Sequence, residues 1–139
     1  MGYGKVGGLE LSYSSDLDVV FIHNAHAGRE TTGDRALDNS VFYTRMGQRM
    51  VHICTAQTRS GDLYEIDLRL RPSGSSGMIV ASMNAFKEYQ AKHAWTWEHQ
   101  ALVRARIISG PADLGQEFQT IRNDILQQAR DPQTLREEV

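Results

Sequence analysis

Asp16 and Asp18, two carboxylates with one residue between them, are the first side chains of this 139-residue chain whose spacing suggests chemistry. On an extended strand they share a face about 6.5 Å apart, close enough to converge on one or two hard cations. Asp67 is a candidate third ligand. It lies in a run where Tyr64, Ile66, Leu68 and Leu70 alternate with Glu65, Asp67, Arg69 and Arg71. A strand with one solvent-facing side would look the same, but the Asp pair favours laying the two strands side by side so that the three carboxylates meet. Such a set can hold two Mg²⁺ ions roughly 3.5–4 Å apart, which bind nucleotide phosphates and stabilise the attacking and leaving oxygens of an in-line displacement. Arg69 or Arg71 would then offset charge on a leaving pyrophosphate. As solvated strand charges, the two arginines would contribute little.

A glycine-rich segment, Gly2-Tyr3-Gly4-Lys5-Val6-Gly7-Gly8, precedes the Asp pair. Read as a loop, it would let backbone N–H groups approach a phosphate closely, with Lys5 adding charge. The Gly-Lys-Ser/Thr ending of a P-loop is absent. Positioning these groups requires a strand over Asp16 to His23, where Leu17, Val19 and Phe21 take the face opposite the aspartates. Asn24 to Asp38 reads as a loop. A helix from about Ser40 is expected to bury a seam of Phe42, Met46, Met50 and Ile53. After a turn at Ser60 to Asp62 comes the Tyr64 to Arg71 strand, ended by Pro72. Gly74 to Gly77 is a flexible loop, and Met78 to Ala81 a short strand. Helices are predicted over Met83 to Lys92, Trp97 to Ile107 and Asp113 to Arg130, the last carrying Leu114, Phe118, Ile121 and Ile125. Asp131 and Pro132 resemble the cap and first position of a further helix. Both ends therefore read as cut.

Composition bounds the rest. Fifteen Lys plus Arg against 17 Asp plus Glu give a formal charge of −2, which argues against binding nucleic acid or an anionic membrane by bulk electrostatics. No apolar run approaches the roughly 18 residues of a membrane span, and no export signal opens the chain. The single cysteine, Cys54, cannot pair internally and is expected to pack in its helix, which suits a reducing cytoplasm. The length suits one domain. His23, His26, His52, His93 and His99 lack zinc-ligand spacing, and Trp95 and Trp97 read as packing groups before base-stacking ones.

The residues also carry a family resemblance. Gly7-Gly8, Ser15-Asp16-Leu17-Asp18-Val19 and a later strand carboxylate are similar to the polymerase β-like nucleotidyltransferases. Three blocks, GYGKVGGLELSYSSDLDVVF, LYEIDLRLRPSGSSGMIV and WTWEHQALVRARIISG, resemble the glutamine synthetase adenylyltransferases, large bifunctional bacterial enzymes with two related nucleotidyltransferase domains. The resemblance implies an α+β fold, a small mixed sheet packed with helices, cut at both ends from a longer chain. It implies AMP transfer from ATP to a tyrosine of glutamine synthetase, with control through the PII signal protein acting on the full-length enzyme. Asp16, Asp18 and Asp67 would hold Mg²⁺, Asp67 would accept the tyrosine proton, and Gly7, Gly8 and Ser15 would contact phosphates. Tyr13-Ser14-Ser15-Asp16-Leu17-Asp18, Arg71-Pro72-Ser73-Gly74 and Trp95 to Gln100 resemble the adenylylating half rather than the removing half, which uses phosphate as the attacking group. A catalytically silent nucleotide-binding module is the alternative from another class.

Overall fold

The computed structural model describes residues 1–62 and 64–128. Its sheet grows around the apolar run after Asp16, which forms two successive strands, β1 (Leu17–Asp18) and β2 (Phe21–His23), separated by Val19 and Val20. The first pairs in parallel with β3 (Ile66–Asp67) and the second with β4 (Val80–Ser82). Parallel neighbours need a crossover, and the helix α2 (Asn39–Cys54) lies on that connection. Residues Met1 to Tyr3 flank the same run from the other side. The Tyr3 N–H donates to the Asp18 carbonyl at 2.8 Å, and the Val20 N–H to that of Met1 at 3.0 Å. Gly2 makes antiparallel bridges to both Val19 and Arg106. The result is a mixed architecture of helices and short strands, as the family resemblance implies.

Helices close the core. The helix α3 (Met83–Lys92) starts at Ser82, whose hydroxyl accepts from the Ala85 N–H at 3.1 Å, an ordinary N-cap. Two more follow, α4 (Thr96–Leu102) and α5 (Ala112–Gln127). The predicted α5 seam is buried at Phe118, Ile121 and Ile125. Phe118 meets Phe86 with ring centroids 5.9 Å apart, and Tyr3, Val20 and Leu102 complete the fully buried set. Each such side chain contributes about 1.5–3 kcal/mol by leaving water.

Five elements differ from expectation. The glycine-rich segment is not a loop: Gly4–Gly8 forms a short helix, α1, ended by Leu9 in the left-handed region. The strand predicted over Tyr64 to Arg71 is confined to Ile66–Asp67, because the Asp67 carboxylate accepts from the Arg69 N–H at 2.8 Å and the Arg71 N–H turns back to the Leu68 carbonyl at 3.2 Å. The helix predicted to reach Ile107 stops at Leu102. There the Arg122 guanidinium takes the Leu102 and Val103 carbonyls at 2.7 and 2.6 Å, and Arg106 exchanges two backbone bonds with Gly2. The short strand expected at Met78 to Ala81 begins instead at Val80.

The fifth difference is rotational. In α2 the predicted seam faces outward, with Phe42, Met46, Met50 and Ile53 between 41 and 63 % exposed, so Met46 and Met50 are not core. The packed side is displaced by one residue, to Tyr43, Thr44, Gly47, Val51 and Cys54, of which only Gly47 is fully buried. Gly47 explains the choice: a Cβ there would stand 2.5 Å from the Val80 side chain, so the glycine lets the helix backbone sit directly on β4. Met46 and Met50 instead border, together with Phe21, Ile22, Ile107 and Ile108, an apolar groove of about 410 Å³. Asp131, Pro132 and the end of the predicted Asp113 to Arg130 helix lie outside the described residues.

Candidate active site

The pairing of β1 with β3 decides where the carboxylates fall. The Leu17 N–H donates to the Glu65 carbonyl at 2.8 Å and the Val19 N–H to that of Asp67 at 3.0 Å, which puts Asp18 and Asp67 directly opposite each other. Residues in register on neighbouring strands point to the same side of a sheet. Two residues earlier, Asp16 is exposed at the start of the strand. Asp18 senses the other two negative charges. The Asp18 carboxyl is pushed above its ordinary range, first by burial and then by repulsion from Asp67 and Asp16, with Arg69 and Lys5 opposing. The Asp67 carboxyl is drawn down by its hydrogen bond from the Arg69 guanidinium.

The helix α1 backs onto this pair. Gly4 takes a φ of +48° and lies against the Asp18 carboxylate, so that a Cβ would collide with Oδ2. Gly4 is thus the glycine at the site, and its signal was the Gly2-X-Gly4 spacing. Gly7 is buried on the far side, where a Cβ would strike the backbone carbonyls of Arg104 and Gly2. A Cβ on Gly8 would stand 3.5 Å from the Glu10 side chain. Lys5 is exposed and close enough to Asp18 to favour its charged form.

The other candidates are tied up locally. Ser15 is buried, and its hydroxyl lies 2.9 Å from that of Ser12 and accepts from the Ser12 N–H at 3.0 Å, closing the turn before β1. Arg71 donates to the carbonyls of Leu68, Ser75 and Gly77 at 2.8, 3.0 and 3.2 Å, so its guanidinium holds the loop after β3 in shape. Arg69 alone of the two arginines faces the carboxylates, with its Nε 2.7 Å from Asp67 Oδ2.

Other features lie elsewhere. A cavity of about 1030 Å³ opens where β2 and β4 end, bordered by His23, His26, Asp38, Ser73 and Ser82, and none of the three carboxylates lines it. Trp95 and Trp97 are 61 and 54 % exposed and do not pack in the core. Glu98 is buried and accepts from the Tyr89 hydroxyl and the Trp95 N–H, both at 2.9 Å. The His99 Nε2 lies 2.8 Å from the Gln90 carbonyl.

As a donor set, Asp16, Asp18 and Asp67 suit hard divalent cations, which prefer carboxylate oxygens. The net disfavouring of the Asp18 charge, by burial and by repulsion from Asp67 and Asp16, is what such a cation would offset. Among the described residues, no three carboxylate, His or Cys side chains are already gathered into a metal-ligating group. The pair Asp18 and Asp67 fits; Asp67 is turned onto Arg69.

Two small parallel strand pairs, with carboxylates in register on adjacent strands and a glycine-bearing helix beside them, are consistent with the polymerase β-like nucleotidyltransferase core. Residues 1–121 match the model of the glutamate-ammonia ligase adenylyltransferase family, and the chain belongs to that family. It is 56 % identical over 139 residues to proteins from Hahella chejuensis and Pseudomonas syringae pv. tomato, and 56 % identical over 140 residues to one from Nitrosococcus oceani. Each is named a bifunctional glutamine synthetase adenylyltransferase/adenylyl-removing enzyme. All of this chain is covered in each case, but it spans only 14 % of each relative's length. No helix among the described residues is long and apolar enough to cross a membrane.

Proposed function

We propose that this chain carries the adenylylating reaction: a tyrosine hydroxyl of glutamine synthetase attacks the α-phosphorus of ATP, and pyrophosphate leaves. The observation that supports this most is the register of Asp18 opposite Asp67 beside the exposed Asp16, in a chain whose relatives are named for adenylyl transfer to and removal from that enzyme. Mg²⁺ ions held by Asp16, Asp18 and Asp67 would supply Lewis-acid stabilisation of the reacting phosphates. Lys5 and Arg69 add positive charge beside those phosphates. A phenol with a pKa near 10 needs a base at neutral pH, and Asp67, whose charged form is favoured by Arg69, serves as proton acceptor. Gly7, Gly8, Ser15 and Arg71 shape α1, the turn before β1 and the loop after β3, and support the phosphate site through those elements. The reaction belongs in the cytoplasm, with PII control exerted through the longer enzyme.

The Tyr13 to Asp18, Arg71 to Gly74 and Trp95 to Gln100 blocks favour the adenylylating half. Supplying labelled ATP with unmodified glutamine synthetase, and separately phosphate with adenylylated glutamine synthetase, distinguishes the two directions. Label on glutamine synthetase is the expected result. ADP formed only in the second mixture would assign the removing half, and metal-dependent nucleotide binding without transfer in either would make the chain a silent nucleotide-binding module.

A further inference from the structure

Asp67 is occupied. Its Oδ1 accepts the Arg69 N–H at 2.8 Å, while Oδ2 takes the Arg69 Nε at 2.7 Å and lies 2.5 Å from Nη2. One arginine two residues downstream therefore claims both oxygens of a carboxylate placed opposite Asp18. The partners differ in accessibility: the Asp67 side chain is 16 % exposed and that of Arg69 is 81 % exposed. The carboxylate sits on the strand, whereas the guanidinium covers it from the solvent side.

We infer that Arg69 is a positioning residue that stands in for a cation, holding Asp67 until a divalent ion displaces it and completes the carboxylate site. The inference rests on the cation-dependent reading of Asp16, Asp18 and Asp67 given above. A guanidinium and a divalent ion cannot share Oδ2 without strong repulsion, so the two compete. Released from Asp67, the Arg69 side chain can follow the negative charge to the phosphates of the nucleotide, which planar guanidinium groups bind well. Exchange thus couples assembly of the cation site to delivery of a positive group to the substrate.

The test is Mn²⁺ binding in the absence of nucleotide, read by electron paramagnetic resonance, on the wild type and the R69Q, R69K, D67N, D18N and R69Q/D67N variants. Because the Arg69 side chain is largely solvent-exposed, its replacement leaves the packed core untouched, and circular dichroism checks this. R69Q is expected to bind Mn²⁺ roughly two- to fivefold more tightly, the range of an exposed ion pair. R69K keeps the charge without the fork, so it falls between R69Q and wild type. In the D67N background the R69Q gain should vanish, because there is nothing left to compete for. Unchanged or weaker binding in R69Q overturns the inference, as does a gain that persists with D67N, which would indicate only long-range repulsion. The failure of the parent reading has its own signature: Mn²⁺ binding that is absent from wild type, or unaffected by D18N and D67N alike, removes the carboxylate site, and the exchange falls with it.

Discussion

Two adjacent glycines in α1 should respond oppositely to the same substitution. Gly7 and Gly8 are both helical and neither takes a positive φ, so Ala at either position gains about 1 kcal/mol of helix propensity. At Gly8 the added methyl meets only ordinary contacts, the Glu10 side chain at 3.5 Å and the Arg104 guanidinium carbon at 3.8 Å. Gly8→Ala should therefore be neutral or stabilise by up to about 1 kcal/mol. At Gly7 the same methyl would collide with the Arg104 carbonyl oxygen and come within 2.7 Å of that of Gly2. Neither is the movable end of a side chain: the neighbouring Arg106 and Gly2 exchange the backbone bonds that hold the edge of the sheet. Overpacking typically costs about 1–3 kcal/mol, and unyielding backbone belongs at the upper end. The net expectation for Gly7→Ala is a loss of about 1–2 kcal/mol, or roughly 3–8 °C in Tm for a chain of this size. Urea denaturation of both variants measures the difference. A Gly7→Ala protein as stable as Gly8→Ala would refute the packing of α1 on Arg104 and restore the reading of these glycines as an open phosphate-binding loop.

Asp18→Asn removes a half-buried charge that burial, Asp67 and Asp16 all disfavour, so it should raise stability at neutral pH while lowering AMP transfer by about a hundredfold or more. The sign with pH follows from the raised Asp18 pKa. The destabilising contribution is full above the folded pKa and disappears as the carboxyl protonates on acidification, so the advantage of Asp18→Asn in denaturation midpoints should shrink as pH falls through the carboxylate range. Asp67 runs the other way: its lowered pKa contributes stability above the ordinary carboxylate pKa that is lost on acidification, so Asp67→Asn should be less stable than wild type at neutral pH by a margin that narrows in acid. Glu98→Ala leaves the Tyr89 hydroxyl and the Trp95 N–H without their acceptor and should cost about 1–3 kcal/mol in urea unfolding. Glu98→Gln, which retains one acceptor oxygen, should cost less.

What the sequence made legible was periodic, and what it hid was local. The alternation of Leu17, Val19 and Phe21 with the aspartates, and of Ile66 with Asp67, showed which residues share a face; the parallel direction and the register that sets Asp18 opposite Asp67 came only with the structure. The α5 seam was legible for the same reason, because Phe118, Ile121 and Ile125 recur on one helical face and are buried. The α2 seam obeyed the same period and was exposed. Period fixes which residues share a face but not which face is covered, and here a single Gly47, by allowing close approach to Val80, outweighed four larger apolar side chains. The candidate site shows the same division. Asp16, Asp18 and Asp67 were visible as residue types on strands, but the alternation from Tyr64 to Arg71 implied a straight strand with Arg69 and Arg71 in equivalent places. The structure makes them unlike: Arg71 is bound to three loop carbonyls, while Arg69 is folded back onto Asp67. The Asp67 carboxylate both ends the strand, by accepting the Arg69 N–H, and holds the arginine. A side chain that bonds its own backbone two residues on competes with the sheet ladder, and that competition leaves no trace in hydrophobic periodicity. It follows that the residue whose position most affects this site is one that sequence pattern treats as an interchangeable surface charge.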